Sequence, residues 1–213
     1  AIAEAPERFQ GLVEACLKKR EAAGKEPSIK HFEILDELGT GNYSTVVMAR
    51  RRIDSKVFAL KIIDKSEAEK VKKRHQNVDN EILMEKRALY KLRGHPNIVW
   101  LYATFVDYSR LYYCMELCRG GELWDRLVVD GHRAPVAESL AHSWLEELCE
   151  ALGYMHSKGL VHRDVKPENM MLDESGRVKL VDFGTAKDLF ETDLNGPEFV
   201  GTPEYMAPDM IDS

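Results

Sequence analysis

The spacing of apolar residues divides the chain into a β-rich first half and a helical second half. Short apolar runs in residues 31–63 and 98–117, broken by glycine-rich and polar turns, predict strands. From Glu122 onward, apolar residues recur three and four positions apart, which predicts helices. The pair Gly120-Gly121 separates the two patterns, and we expect a hinge there.

Helical spacing also occurs before and between the strands. Residues 5–22 predict an amphipathic helix, and residues 66–93 predict one long helix. In the second half, residues 140–155 predict a further helix, and residues 170–181 predict a short hairpin. These patterns together predict an α+β fold.

Composition adds three limits. The net charge of −6 argues against nucleic acid as a partner. No apolar run approaches the roughly 18 residues of a membrane span, so no membrane segment is expected in this chain. The four cysteines form no CxxC pair, which indicates reduced thiols and a cytoplasmic location. A nuclear location, or recruitment to a membrane surface through other regions, is the alternative.

The densest candidate chemistry lies in residues 162–169, His-Arg-Asp-Val-Lys-Pro-Glu-Asn. Asp164 can accept a proton, Lys166 can neutralise phosphate charge, and Asn169 can ligate a hard cation through its carbonyl oxygen. Asp182 supplies a second carboxylate on a glycine turn, Asp-Phe-Gly. The segment therefore predicts a site for phosphate chemistry.

Two features of the first half fit the same chemistry. Gly39 and Gly41 lie in a turn between apolar runs, where backbone N–H groups could approach phosphates. Lys61 lies inside an apolar strand pattern, and a buried lysine needs an anionic partner. Glu85, on the predicted helix 66–93, is a candidate for that partner.

In this order and spacing, the motifs resemble the eukaryotic protein kinase family over residues 32–209. The matching segments are Gly39-x-Gly41-x-x-Ser44-x-Val46, Ala59-Leu60-Lys61, Glu85, HRDVKPEN, DFG and GTPEYMAPD at 201–209. The resemblance implies a bilobal fold: an N-terminal helical extension at 1–30, a β-rich lobe at 31–117 and a partial helical lobe at 118–213.

The resemblance also implies ATP and Mg²⁺ as cofactors and gives each residue a role. Lys61, positioned by Glu85, would hold the α- and β-phosphates, and Asp164 would orient and deprotonate the acceptor hydroxyl. Lys166 would stabilise the phosphoryl group in transit. Asn169 and Asp182 would bind Mg²⁺. The remaining implied ATP-binding residues are Gly39, Gly41, Val46, Ala59, Met115, Glu116, Cys118, Glu122 and Met171.

Lys166 together with Gly201-Thr202 resembles the Ser/Thr pattern, so the implied partners are proteins with Ser or Thr acceptors. Thr202 would contact Asp164 and Lys166. Glu122 resembles the acid that reads basic substrate side chains in the AGC group of kinases. The strings at 182–187 and 199–202 resemble the 3-phosphoinositide-dependent kinase subfamily, which extends the implied substrates to other AGC kinases.

Two positions depart from the family pattern. Glu198 stands where the family carries an activating phosphate, and we hypothesise that its charge pairs with Arg163 and Lys187 instead; a solvated loop residue is the alternative. The usual Ala-Pro-Glu ends in Asp209, and the sequence stops at Ser213. From this we expect a lobe truncated after the activation segment, with low stability and little activity of the chain alone.

Two other functions remain open from the sequence. One is a nucleotide-binding scaffold without turnover, of the pseudokinase kind, and the other is a truncated fragment that acts through protein interaction. Lys61, Asp164, Asn169 and Asp182 are all present. A pseudokinase usually lacks one of them, so their presence favours the enzyme.

Overall fold

The computed structural model describes residues 27–190 and 200–211. The helix predicted at 5–22, most of the predicted extension and Glu198 lie outside the described residues. The chain divides into two compact units, one of residues 1–79 and 100–117 and one of residues 80–99 and 118–213. One boundary between the units, after Leu117, is also the boundary between the two predicted lobes. The prediction differs for residues 80–99, which it assigned to the β-rich lobe and which belong to the second unit.

The first unit is built on a five-stranded antiparallel sheet. Its strands are β1 (Phe32–Thr40), β2 (Ser44–Arg51), β3 (Val57–Asp64), β4 (Leu101–Val106) and β5 (Arg110–Met115). They lie in the order β1-β2-β3-β5-β4, so neighbours along the chain are neighbours in space except where β5 lies between β3 and β4. The strands predicted in the first half are thereby confirmed.

Alternation along these strands sends one set of side chains into an aromatic core. Phe105 stacks on Phe32 at a centroid distance of 5.7 Å and on Tyr112 at 4.7 Å. Phe58 meets Phe32 edge to face at 6.2 Å. The cluster also buries Val47, Ala49, Leu60 and Cys114. Burying these rings stabilises the sheet.

Two helices follow β3 where one was predicted. Helix α1 spans Lys65–Lys72 and helix α2 spans Val78–Lys91, so the prediction of one helix over 66–93 is wrong. Residues 72–77 are all polar and offer nothing to bury on a continuous helical face. Asp64 caps α1 by accepting hydrogen bonds from the N–H groups of Ser66 and Glu67.

The turn between β4 and β5 is held by Asp107 and Lys65. Oδ1 of Asp107 accepts from the N–H groups of Ser109 and Arg110. Its Oδ2 accepts from the Tyr112 hydroxyl at 2.7 Å. Lys65 Nζ donates to the carbonyls of Asp107 and Tyr108. The turn thus anchors the polar end of a tyrosine whose ring lies in the core.

The second unit contains helices and short strands, in accord with the helical spacing of the sequence. After α2 come β6 (Gly121–Glu122), α3 (Trp124–Leu127), β7 (Val128–Val129), β8 (His132–Arg133), α4 (Glu138–Ser157) and β9 (Leu160–Val161). A 3-10 turn at Pro167–Asn169 leads to β10 (Met170–Leu172), β11 (Val178–Leu180) and β12 (Lys187–Asp188). A second 3-10 turn, Pro203–Tyr205, precedes α5 (Pro208–Ile211).

Helix α4 and the hairpin β10–β11 form the core of this unit. Ala151 and Met155 of α4 are fully buried, as are Val178 and Leu180 of β11. Trp144 Nε1 donates to the carbonyl of Gly176 at 3.0 Å, which joins the helix to the hairpin turn. The predicted hairpin at 170–181 is confirmed, and it lies directly before Asp182.

Gly120 has a packing role that the expected hinge did not include. Its N–H donates to the carbonyl of Leu172 at 2.8 Å. A Cβ at this position would lie 2.6 Å from the Leu172 Cβ and from the Asp173 carbonyl oxygen. Gly121 has a φ of +81°, in the left-handed region that favours glycine. The glycine pair therefore brings the chain close to β10.

Among the helices that the structure describes, none combines the length and the apolar character that crossing a membrane requires. The predicted α+β class is confirmed.

Candidate active site

The residues predicted around 162–169 lie on a loop between β9 and β10 in the second unit. Asp164 N–H donates to His162 Nδ1 at 3.3 Å. Arg163 has a φ of +69°, an unusual value for a residue with a Cβ. Backbone strain of this kind occurs at functional loops, where surrounding contacts hold it in place.

Asp164, Lys166 and Thr202 form a closed triangle of polar contacts. The Thr202 hydroxyl donates to Asp164 Oδ1 at 2.6 Å and accepts from Lys166 Nζ at 2.7 Å. Lys166 Nζ lies 3.1 Å from Asp164 Oδ2. Residues 36 and 38 positions apart are thus brought to one point, as the sequence predicted.

This environment sets the protonation of Asp164. Burial raises the pKa of its carboxyl, but hydrogen bonds from Thr202, Lys166 and Asn169 and the charge of Lys166 outweigh burial, so the pKa lies below its ordinary value. The carboxylate is therefore ionised and able to accept a hydrogen bond from a hydroxyl at neutral pH.

Asn169 is buried and oriented by the same aspartate. Its side-chain amide group donates to the Asp164 carbonyl at 2.8 Å and to Asp164 Oδ2 at 3.0 Å. These bonds fix which end of the side chain is the NH₂ group, so the carbonyl oxygen Oδ1 points the other way. The carbonyl oxygen is the atom of this side chain that suits a hard cation.

Asp182 is exposed directly after β11 and has a φ of +56°. Its Oδ1 accepts from the N–H of Gly184 at 3.3 Å. Within residues 27–190 and 200–211, no group of three or more His, Cys, Asp or Glu side chains is arranged to hold a metal ion. A carboxylate and an amide oxygen still fit Mg²⁺, which keeps several water ligands and binds through one or two protein groups plus phosphates.

His162 and Phe183, which are close in sequence to Asp164 and Asp182, pack against each other. Both are buried, and their rings lie 5.3 Å apart between centroids. Burial lowers the pKa of His162, and Nε2 contacts the Val181 carbonyl at 3.2 Å. A neutral imidazole is thereby favoured, so His162 serves as a packing residue between the loop and the strand that leads to Asp182.

Arg163 is bound to the backbone that follows Asp-Phe-Gly. Its Nε donates to the Thr185 carbonyl at 2.7 Å, and Nη2 lies 3.5 Å from the Ala186 carbonyl. Burial lowers the pKa of the guanidinium. Lys187 pairs with Val161 as β12 meets β9. The predicted contact of these two cations with Glu198 involves a residue outside the described part of the chain and stays a prediction.

Gly201 places Thr202 beside the loop. It has a φ of +118°, and a Cβ there would overlap the carbonyl oxygen of Arg163. Only glycine allows this approach. The sequence pair Gly-Thr therefore has a physical basis: the glycine lets the segment approach the loop at 162–169, and the threonine completes the triangle.

Sequence reasoning gave no role to Glu168 or Tyr205. Oε2 of Glu168 is buried and has no hydrogen-bond partner among the described residues. Burial first, and then the charge and a hydrogen bond of Glu168, raise the pKa of Tyr205. Burial, followed by the charges of Asp125 and Glu168, also raises the pKa of the predicted residue Glu122. The effect of the Glu168 charge on Glu122 depends on how near the two acids lie in the fold, which their sequence positions do not show.

The residues predicted to face the nucleotide in the first unit share one side of its sheet. Val46 pairs with Lys61 across β2 and β3, and Ala59 pairs with Met115 across β3 and β5. Paired residues lie on the same face, and positions two apart share it, so these four residues oppose the aromatic core. Gly39 pairs with Val46 on that same face.

The other predicted residues are distributed as follows. Gly41 lies in the exposed β1–β2 turn, where its N–H donates to the Ser44 carbonyl at 2.7 Å. Glu116 is tied to Trp100 by two hydrogen bonds, at 2.8 and 3.2 Å. In the second unit, Met171 pairs with Glu122 between β10 and β6, and Cys118 is half-buried.

Lys61 is half-buried on β3, and Glu85 is buried on α2 with 5% of its surface exposed. They belong to different units, so the ion pair between them stays a prediction. A glutamate this deeply buried requires polar or charged neighbours.

A family model described as "protein kinase domain" matches residues 32–213, so the chain belongs to the protein kinase domain family. The family implies ATP and a divalent metal ion as general requirements.

Its curated relatives are Ser/Thr protein kinases of the AGC group. The chain is 37% identical to 3-phosphoinositide-dependent protein kinase 1 of Arabidopsis thaliana, over 85% of this chain and 37% of that protein. It is 36% identical to serine/threonine-protein kinase Sgk1-A of Xenopus laevis, over 84% and 40%. It is 34% identical to serine/threonine-protein kinase PKH2 of Candida albicans, over 87% and 20%. The chain therefore spans less than half the length of each of these relatives.

Proposed function

We propose that this protein transfers the γ-phosphoryl group of ATP to Ser or Thr hydroxyls of protein substrates. The observation that carries the proposal is the Thr202 hydroxyl, which donates to Asp164 Oδ1 at 2.6 Å while it accepts from Lys166 Nζ at 2.7 Å. The loop thus already holds an alcohol between a carboxylate and an ammonium group.

In this mechanism Asp164 orients the acceptor hydroxyl and takes its proton as the oxygen attacks the γ-phosphorus. The bond between that phosphorus and the bridging β–γ oxygen breaks, and ADP leaves. The lowered pKa keeps Asp164 ionised and able to do so. Lys166, beside Asp164, offers a positive charge to the phosphoryl oxygens in transit. Thr202 holds the two side chains in register, which is a positioning role.

We propose Mg²⁺ as the divalent ion, held by Asn169 Oδ1 and the Asp182 carboxylate. When bound, the ion would neutralise phosphate charge. Asp164 contributes by holding the NH₂ group of Asn169 and so directing its Oδ1. Gly184 N–H restrains the Asp182 carboxylate at 3.3 Å. The protein's own part is thus to preorganise two oxygen ligands.

We propose that ATP binds to one face of the first unit's sheet, the face that carries Val46, Ala59, Lys61 and Met115. Its apolar members suit an adenine ring, and Lys61 suits phosphate. The β1–β2 turn with Gly39 and Gly41 can bring backbone N–H groups to phosphates. The shared face, set by strand register, supports this assignment.

We propose that the protein substrate carries a basic side chain near the Ser or Thr that accepts the phosphoryl group. Glu122 and Glu168 are close enough for the charge of one to raise the pKa of the other, and Glu168 Oε2 is a buried acceptor with no partner among the described residues. An arginine or lysine would satisfy that oxygen. Because the relatives of this chain are AGC kinases, we propose other kinases of that group as one substrate class.

The test is phosphoryl transfer from Mg·ATP to peptides that differ only in the acceptor and in one basic residue. We expect phosphate on Ser and Thr peptides and none on the matching Tyr peptide. Asp164→Asn should lower kcat at least about 100-fold by removing the base. Asp130→Asn is the matched control, because Asp130 is exposed in the turn between β7 and β8 and has a φ of +51° that Asn tolerates.

Binding of ATP without transfer to any acceptor, in the unaltered protein and in Asp164→Asn alike, would contradict the proposal. That result would favour the nucleotide-binding scaffold. Glu168→Gln tests the substrate part separately: it should raise KM for the basic peptide and leave KM for ATP unchanged. Equal KM values for basic and neutral peptides would refute that part alone.

A further inference from the structure

Four residues of the second unit meet just after the Asp-Phe-Gly turn. Lys91 comes from the last turn of α2, and Gly159 lies two residues after α4 ends at Ser157. Asp188 belongs to β12, and Phe190 follows two residues later. We call this group the Lys91 clasp. None of its members belongs to the motifs that the sequence analysis singled out.

The clasp contains an ion pair of good geometry. Lys91 Nζ lies 2.8 Å from Asp188 Oδ2, and 35% and 18% of the two side chains is exposed. The other oxygen, Oδ1, accepts from the N–H of Phe190 at 3.1 Å. Burial raises the pKa of Asp188. Hydrogen bonds from Lys91 and Phe190 and the charges of Lys91 and Arg87 have the larger, opposite effect, so the pKa lies below its ordinary value.

Phe190 occupies space that only glycine leaves open. Gly159 has a φ of +71°, and a Cβ there would overlap the Phe190 ring. Lys91 Nζ lies 5.4 Å from the centroid of the same ring. Leu189 N–H donates to the Gly159 carbonyl at 2.8 Å. The ammonium group and the glycine thus hold the backbone of residues 188–190 from two sides.

The clasp is connected to the catalytic residues through short, direct links. Asp188 pairs with Leu160 as β12 meets β9, and β9 leads within three residues to Asp164. In the other direction, Asp188 lies six positions after Asp182. Lys91 is on the helix that carries Glu85.

Stability alone is a weak explanation for this arrangement. Phe190 is 77% exposed, so its packing on Gly159 removes little apolar surface from water. A partly exposed ion pair contributes little to the free energy of unfolding. What the contacts do is fix the path of the chain between Asp182 and residue 190.

We propose that the Lys91 clasp is a positioning device for phosphoryl transfer: it holds the start of the activation segment so that Asp164 and Asp182 keep their places. The inference rests on the proposed function. Lys91, Asp188 and Phe190 touch no reacting atom and act through the β9–β12 pair.

The test is a double-mutant cycle with Lys91→Met and Asp188→Asn, read out by kinetics. Each single variant should lower kcat about fivefold, and the double variant should lose about the same rather than the product, because both changes remove one interaction. KM for ATP should stay within about twofold, since the change affects positioning and not uniform binding. Lys91→Arg should retain near-normal kcat.

Hydrogen exchange supplies a readout that needs no activity. The Leu189 amide, bonded to Gly159, should exchange faster in Lys91→Met, Asp188→Asn and Phe190→Ala. Lys86→Met is the matched control, because Lys86 is exposed on the same helix. It should change neither kcat nor exchange.

The outcomes separate the clasp from the proposed function. Faster exchange with unchanged kcat in all variants would overturn the positioning role. Losses of kcat that multiply in the double variant would also overturn it, since they indicate two independent effects. If the unaltered protein transfers no phosphoryl group, the proposed function fails. Hydrogen exchange then tests the Lys91 clasp by itself. Unchanged exchange of the Leu189 amide in Lys91→Met would refute the clasp, and faster exchange would support it.

Discussion

The hydroxyl of Thr202 donates to Oδ1 of Asp164 at 2.6 Å and brings the segment after residue 200 against the catalytic loop. A single alcohol therefore connects the proposed base with the proposed phosphate-neutralising lysine.

Replacing Thr202 by Ala should reduce kcat about 10-fold or more, since a hydrogen bond to a charged group contributes roughly 1.5–3 kcal/mol. Thr202→Ser retains the hydroxyl and should stay within a few-fold of the unaltered protein. Steady-state kinetics with a Ser peptide measure both. Equal losses in the two variants would mean that the methyl group, not the hydroxyl, is what matters.

The same contact predicts a pH effect. The pKa of Asp164 lies below its ordinary value, and Thr202 is the first of the groups that lower it. The ionised form is the base, so activity is present above this pKa and lost as pH falls through it. Thr202→Ala should raise the pKa and move the acidic limb of the kcat profile to higher pH. Thr202→Ser should leave the limb in place, and an unmoved limb in Thr202→Ala would contradict the assigned base.

Gly120 and Gly153 should respond in opposite ways to Ala. A Cβ at Gly120 meets Leu172 and Asp173 at 2.6 Å, so Gly120→Ala should destabilise the protein by about 1–3 kcal/mol. Gly153 is exposed within α4 with nothing within 4 Å, so Gly153→Ala should stabilise it by roughly 0.5–1 kcal/mol. Urea unfolding followed by tryptophan fluorescence measures both. A Gly120→Ala variant as stable as the unaltered protein would show that β10 can shift to make room for the added Cβ.

Tyr112 should titrate far above an ordinary tyrosine. Burial, a hydrogen bond to Asp107 and the charge of Asp107 raise its pKa to about 12 from 10.0. A raised pKa favours the protonated form in the folded state. Its contribution to stability is therefore complete below pH 10 and is lost as pH rises from there to about 12.

Ultraviolet absorbance of phenolate, compared between the unaltered protein and Tyr112→Phe, isolates this titration. Asp107→Asn should lower the pKa of Tyr112 while leaving its ring buried. Titration of Tyr112 near pH 10 in the folded protein would contradict the buried position of the ring.

Local patterns were enough to predict several elements. The β1–β5 strands follow from short apolar runs broken by glycine-rich and polar turns, and the hairpin before Asp182 follows from two further short apolar runs. The prediction of one helix over 66–93 was wrong, because apolar residues at helical spacing on both sides of a break do not show where the helix is interrupted. The polar run at residues 72–77 was the available signal.

Contacts between distant residues were out of reach of local patterns. Lys91 and Asp188 are 97 positions apart, and nothing in either neighbourhood indicates the other. Glu168 stands inside a recognised motif, yet the sequence does not show that its Oε2 is buried without a hydrogen-bond partner among the described residues. Nor does it show that Tyr205 and Glu122 are near enough to feel its charge. Gly120 reads as a hinge in sequence, whereas its role is set by the atoms of β10.

The sequence by itself determined the kinds of groups in the candidate site and the strand face of Lys61, because residue chemistry and the two-residue period of a strand are local properties. Tertiary structure alone decided which groups meet. The triangle of Asp164, Lys166 and Thr202 depends on a left-handed glycine at 201, and the Lys91 clasp depends on a left-handed glycine at 159. Such contacts arise from the packing of distant segments, whose free energy no short stretch of sequence contains.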